Sequence, residues 1–90
     1  MSQAIVDPNE LRRFARQLER FTSELETQML QLRGQLNNLS QSWRDQENEK
    51  FMREFDETLA ATNRFMEAAR THVPFLLRKA ERVEEYLRQR

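Results

Sequence analysis

The chain is 90 residues long, which limits it to one domain. Its 15 basic and 15 acidic residues balance to a formal net charge of zero, so bulk electrostatics gives no case for nucleic acid or a membrane surface as partner. The absence of Cys excludes disulfides, thiolate catalysis and sulfur-ligated metals, and one Gly, two Pro and few β-branched residues leave little material for a sheet.

The first helical pattern has a marked start. Asp7 is placed to be the N-cap, its carboxylate accepting from first-turn amides. Pro8 then falls at the first helical position, where its missing N–H costs nothing. Glu10 falls where a capping box has its acid, and Val6 and Leu11 where a hydrophobic staple has its apolar pair. From there apolar residues recur at Leu11, Phe14, Leu18, Phe21 and Leu25 with steps of three and four, which keeps them on one helical face. Met29, Leu32, Leu36 and Leu39 continue it, with a stutter at Leu25–Met29 that locally unwinds a supercoil. Gly34 is the one propensity defect, read as a surface glycine rather than a close helix approach. This predicts a helix over about residues 8–39.

Asn37-Asn38-Leu39-Ser40-Gln41-Ser42 is the one plausible internal turn, because Asn and Ser side chains compete with the helix by bonding nearby backbone. A turn at about 40–43 and a second helix over about 44–88 follow, with Ser40 and Ser42 as candidate caps and Asp45 and Glu47 at the positive helix end. So short a connection makes the two helices antiparallel neighbours. The second helix carries Phe51, Phe55, Leu59, Thr62, Met66, Ala69 and Val73 on one stripe, then Leu76, Leu77, Ala80, Val83 and Leu87, with Phe65 and Tyr86 beside it. Pro74 removes the hydrogen bond to the Arg70 carbonyl, so a kink or short break is expected near residues 71–73. The fold class is all-α: an antiparallel two-helix hairpin, the second helix longer and kinked near Pro74.

Such a hairpin has a thin core. Phe14, Phe21, Phe51, Phe55 and Phe65 are large, and each fully buried side chain of this kind contributes about 1.5–3 kcal/mol. The longer second helix is also expected to overhang the first beyond Pro74, with residues 1–6 covering only part of it. A second chain completing a four-helix bundle remedies both deficits; a monomer with a frayed tail is the competing reading. Charge is polarised along the hairpin. Residues 1–20 and 68–90 hold 10 basic and 6 acidic residues, net +4, and residues 21–67 hold 5 and 9, net −4. That polarity favours antiparallel over parallel packing of two hairpins.

No catalytic, cofactor-binding or metal-binding residues are assigned. His72 is the single histidine and lacks the convergent ligands of a metal site. Acidic pairs such as Glu47/Glu49 and Asp56/Glu57 read as a solvated face, since acid–base work needs a pocket that perturbs their pKa values. The stripe Arg12, Arg13, Arg16 and Arg20 is interrupted by Glu19 and flanked by Glu10, so no nucleic-acid partner is assigned. Met29, Met52 and Met66 read as core filling. No apolar run is long enough to cross a bilayer, and the first six residues lack the basic start and apolar centre of a signal peptide. A cytoplasmic chain is expected, exported only by a route that accepts folded helices.

Trp43-Arg44-Asp45, with Phe51 eight places after the Trp and Phe55 twelve after it, resembles the WXG hairpin superfamily, the early-secreted-antigen-like proteins of bacterial type VII secretion. The likeness covers nearly the whole chain: its length, the central turn at the Trp, and an aromatic at that spacing in the second helix. Trp43 matches the family Trp and Phe51 the aromatic that follows. Asp45 stands in place of the motif Gly, Glu47 in place of a small residue, and Tyr86 is followed four places on by Arg90 where the family's export signal has an acid. The resemblance implies a non-enzymatic protein that pairs as a homodimer or heterodimer with a similar hairpin into a four-helix bundle. It also implies a secreted effector or partner chain of a type VII system, with a secretion ATPase as a further partner. A cytosolic coiled-coil adaptor or assembly subunit is the alternative. The residues expected to matter are Trp43, Asp45, Phe51 and Phe55 at the hairpin tip. Leu11, Phe14, Leu18, Phe21, Leu25, Leu59, Met66, Leu76, Val83 and Leu87 are expected to form the core or dimer seam.

Overall fold

The computed structural model describes residues 6–89; residues 1–5, expected to cover part of the second helix, and Arg90, the end of the Tyr86 spacing, lie outside them. Two helices, α1 (Pro8–Leu39) and α2 (Gln46–Arg88), pack along one another. The Asp7 carboxylate caps α1 by accepting from the Asn9 amide at 2.8 Å, and Pro8 begins the helix. Val6 and Leu11 are both half-buried there. At the far end the Ser40 amide donates to the Leu36 carbonyl at 2.9 Å, and the Trp43 amide closes the turn onto the Leu39 carbonyl at 2.9 Å. Asp45, rather than Ser40 or Ser42, caps α2, accepting from the Asn48 amide at 3.0 Å, with Glu47 and Glu49 in the first turn. No described residue has a positive φ. The connection therefore needs no glycine, and Asp45 sits at φ −89° in extended backbone open to any residue.

The helices meet along a seam of strict seven-residue spacing. On α1 it runs through Ala15, Thr22, Met29 and Leu36, and on α2 through Met52, Leu59, Met66, Val73 and Ala80, all buried or half-buried. Ala15 and Ala80 are wholly covered near the open end of the hairpin, and the absence of a longer side chain at both lets the backbones approach. Thr22, buried in the middle of α1, satisfies its hydroxyl on the Glu19 carbonyl at 2.9 Å.

Two expectations need correction. The short break expected at Pro74 is absent: residues 46–88 form one helix that contains the proline. Pro74 and Arg70 are both exposed, so water can satisfy the carbonyl that the proline cannot bond. The overhang of α2 is also shorter than expected, because α1 reaches past Pro74. Arg12, in the first turns of α1, reaches Glu84 with two hydrogen bonds of 2.7 and 3.2 Å, and Val73 and Ala80 are buried. At the other end Asn48, in the first turn of α2, packs on the connection and donates to Ser40, so the two helices start and end nearly level at the tip.

Candidate interaction face and hairpin tip

At the tip, the connection and the first turns of α2 form one hydrogen-bonded unit. The Ser40 hydroxyl is its hub, donating to the Leu36 carbonyl at 2.9 Å and accepting from the Asn48 side-chain amide at 2.9 Å. Asn48 is buried, its backbone amide on Asp45 and its side chain on Ser40, so both polar ends are satisfied. Arg44 folds back to the Gln41 carbonyl at 2.9 Å. Outside this frame Trp43 is half-buried against Phe51, their centroids 6.3 Å apart, and Phe51 lies 6.3 Å from Phe55. The three aromatics expected to act together do stand together, with spacings within the range of favourable aromatic pairs. Asp45 contributes by starting the helix that carries two of them.

From the tip an apolar flank runs along the hairpin. Counting about 100° per residue around each helix, Phe14, Phe21, Leu32 and Leu39 fall on one line of α1, turned roughly 100° from the seam. Phe51, Phe65, Leu76 and Val83 are turned in the matching sense on α2. The edge-to-face contact of Phe21 with Phe65, centroids 6.4 Å apart, places both lines on the same side of the molecule. Leu32, Leu36, Leu39, Phe51 and Phe55 surround a shallow hollow of about 240 Å³ there.

The residues expected in a single seam therefore divide. Met66 is buried, and Leu11, Leu18, Leu25, Leu59, Leu76 and Val83 are half-buried. Phe14, Phe21 and Leu87 are exposed, the two phenylalanines by more than half. Phe14 and Phe21 lie at the margin of the contact between the two helices, Phe21 meeting Phe65 across it; Ala15 and Thr22 take the inward positions next to them. Ala15 and Thr22, with Asn48, are what attention to large apolar side chains misses. The signal that finds Ala15 and Thr22 is the exact seven-residue spacing from Ala15 to Leu36.

The other side of the seam is polar. Arg12–Glu84, Arg70–Glu26 and Arg33–Asp56 tie the helices together at 2.7, 3.1 and 2.8 Å. The bidentate Arg12 bond holds the Glu84 carboxyl below its ordinary pKa, and Glu84 in turn raises that of Arg12. Both groups remain partly open to water, so the pair fixes register more than it adds stability. Among the described residues no cluster of His, Asp and Glu is arranged to hold a metal ion. His72 is exposed beside Phe75, with ring centroids 6.4 Å apart. Among the described residues no helix is long and apolar enough to cross a membrane.

No curated protein and no solved structure matches the chain significantly. The family model WXG100, described as proteins of 100 residues with WXG, matches residues 3–86. That span holds both helices almost entirely, the Trp43 turn and the aromatic flank, and it joins the geometry to the motif spacing: the chain belongs to the WXG100 family.

Proposed function

We propose that this chain is a non-enzymatic interaction module that takes up a second, similar hairpin on its aromatic flank to complete a four-helix bundle, and that it works so in type VII secretion, as an exported effector or as the partner chain of one. The observation that carries the reading is the flank itself. Phe14, Phe21, Phe51 and Phe65 are each about half exposed on one side of a molecule whose other side is tied by ion pairs. Covering the exposed half of each contributes about 1 kcal/mol. Trp43 and Phe55 extend the surface to the tip, and the half-buried Leu18, Leu25, Leu76 and Val83 continue it toward the open end. Family membership supports the secretion assignment, with a secretion ATPase as the expected machinery partner.

The test is the double variant Phe21→Glu/Phe65→Glu, followed by sedimentation over a range of concentrations, alone and mixed with a second hairpin of the same family, and by circular dichroism. The expected outcome is retained helicity and lost pairing, because both side chains are about half exposed and the buried seam of Ala15, Thr22, Met66 and Val73 is left intact. Pairing equal to that of the unmodified chain would place the interface elsewhere. Export is tested separately by comparing the culture medium of cells with and without the secretion ATPase. Tyr86 is followed at the fourth place by Arg90 instead of an acid, which favours the second reading, a cytosolic adaptor or assembly subunit. Retention of the chain in cells with an active ATPase would decide for it.

A further inference from the structure

We propose that the outer face of α2, over residues 60–89, is a docking surface for an anionic lipid surface, on which the hairpin lies flat without entering it. This goes beyond the pairing reading and does not rest on it. Counting about 100° per residue, the face points opposite Met66, away from the seam. It is turned roughly 80° from the line of Phe65 and Val83, so a hairpin closing on the flank leaves it open.

The face is one-sided in charge. Arg64, Arg78, Lys79 and Arg82 all fall within about 60° of the outward direction, and all are exposed. The acids of the same stretch, Glu67, Glu81, Glu84 and Glu85, turn toward the ion-paired side instead. Two of them are already engaged, Glu84 by Arg12 at 2.7 Å and Glu85 by Arg88 at 3.7 Å. Among the described residues none of the four outward cations has an ion-pair partner, whereas Arg12, Arg33 and Arg70 are used between the helices. The zero net charge of the chain conceals this local excess.

Aromatics stand among these cations. Phe75 and Tyr86 are each about half exposed on the same face, and the Arg78 guanidinium lies over the Phe75 ring at 4.7 Å. The outer face of α1 lacks this combination: Arg16 is paired with Glu19 at 3.2 Å, and no aromatic stands between Arg13 and Arg20 there. Cations beside anionic headgroups and aromatics at the interface are two separate signals of peripheral binding. The shape selects lipid over a peptide. A convex helix face offers no groove to enclose a peptide, while headgroups rearrange around a ridge, and exposed Ala61 and Ala68 let them come close to the backbone. Each cation near such a surface strengthens binding about fivefold, so four give a contact that is reversible and sensitive to salt.

Flotation of the full chain with vesicles tests this, comparing phosphatidylcholine alone with a roughly 3:1 mixture of phosphatidylcholine and phosphatidylglycerol, at roughly 0.05 M and 0.5 M salt. Binding is expected to the mixed vesicles only, and about tenfold weaker at the upper salt. Lys79→Gln/Arg82→Gln should lower it about 25-fold, and Phe75→Ala about fivefold. Arg13→Gln/Arg20→Gln removes the same charge from the outer face of α1 and should change it less than about twofold. Circular dichroism of each variant checks that both helices persist. Equal binding to the two kinds of vesicle, binding to neither, or an equal loss in both charge variants overturns the proposal. Tighter binding to polyglutamate or duplex DNA than to the mixed vesicles, weakened by Lys79→Gln/Arg82→Gln, overturns the lipid assignment in favour of an acidic macromolecule. None of these outcomes bears on whether Phe21→Glu/Phe65→Glu abolishes pairing.

Discussion

Gly34 is helical and exposed, and a Cβ placed on it meets nothing within 4 Å. Its one effect is on backbone freedom, so Gly34→Ala should raise stability by about 1 kcal/mol in urea denaturation. A loss would point to a contact at Gly34 made by another chain. Trp43 presents the opposite case. It is half-buried against Phe51, so Trp43→Ala should cost roughly half of the ~3–5 kcal/mol lost on emptying a fully buried site, about 2 kcal/mol in the isolated chain. A full-sized loss in dilute solution would mean that the indole is already sealed. At this scale the sequence was legible where a residue acts through its own backbone. Asp7 caps α1 as its chemistry requires, and Asp45 can replace a motif glycine because the turn has no positive φ. Asn48 and Ser40 were not legible: a polar pair buried across the turn has no local pattern until the turn brings the two together.

Helix α1 and helix α2 touch through small residues at the open end and through ion pairs along one side. Ala15→Leu or Ala80→Leu inserts a branched side chain where both positions are fully covered, and should destabilise the hairpin by about 1–3 kcal/mol in thermal or urea melts. An unchanged melting curve would show that the helices can part there without loss. The Arg12–Glu84 pair predicts a pH dependence. Its folded-state carboxyl pKa is depressed, so its contribution is present above the ordinary glutamate value of about 4.3 and is lost as pH falls through the lower folded value. Glu84→Gln should therefore flatten the acid limb of a stability–pH profile and leave the limb above neutrality alone. An identical acid limb in the variant would show that the pair has no part in it. Helix existence and order followed from periodicity. The face each helix turns inward did not, because α1 has an apolar arc wide enough for two contacts. The large Phe14 and Phe21 outweigh Ala15 and Thr22 in any reading by size, yet close packing of two backbones favours the small residues.

The whole molecule is a slab with Cα extents of 67 × 24 × 15 Å and a radius of gyration of 20.0 Å. A compact chain of 90 residues has a radius of about 12 Å. A single layer of two helices has no interior comparable to a globular core, and a hairpin closing on the flank, as proposed above, would supply what it lacks. Stability should then depend on protein concentration: the melting temperature should rise with concentration for the unmodified chain and stay constant for Phe21→Glu/Phe65→Glu, by differential scanning calorimetry. A concentration-independent melt in both would mean that the slab is sufficient alone. The sequence by itself determined the two helices, the cap of α1, the turn and the family, because each depends on short-range spacing and on what a residue does to its own backbone. Tertiary structure alone decided that Pro74 does not interrupt α2, that Arg12 reaches Glu84, and that the aromatics form a flank outside the seam. Those outcomes depend on how two long helices settle against each other, which is fixed by side-chain volume along the contact and not by the pattern of either helix.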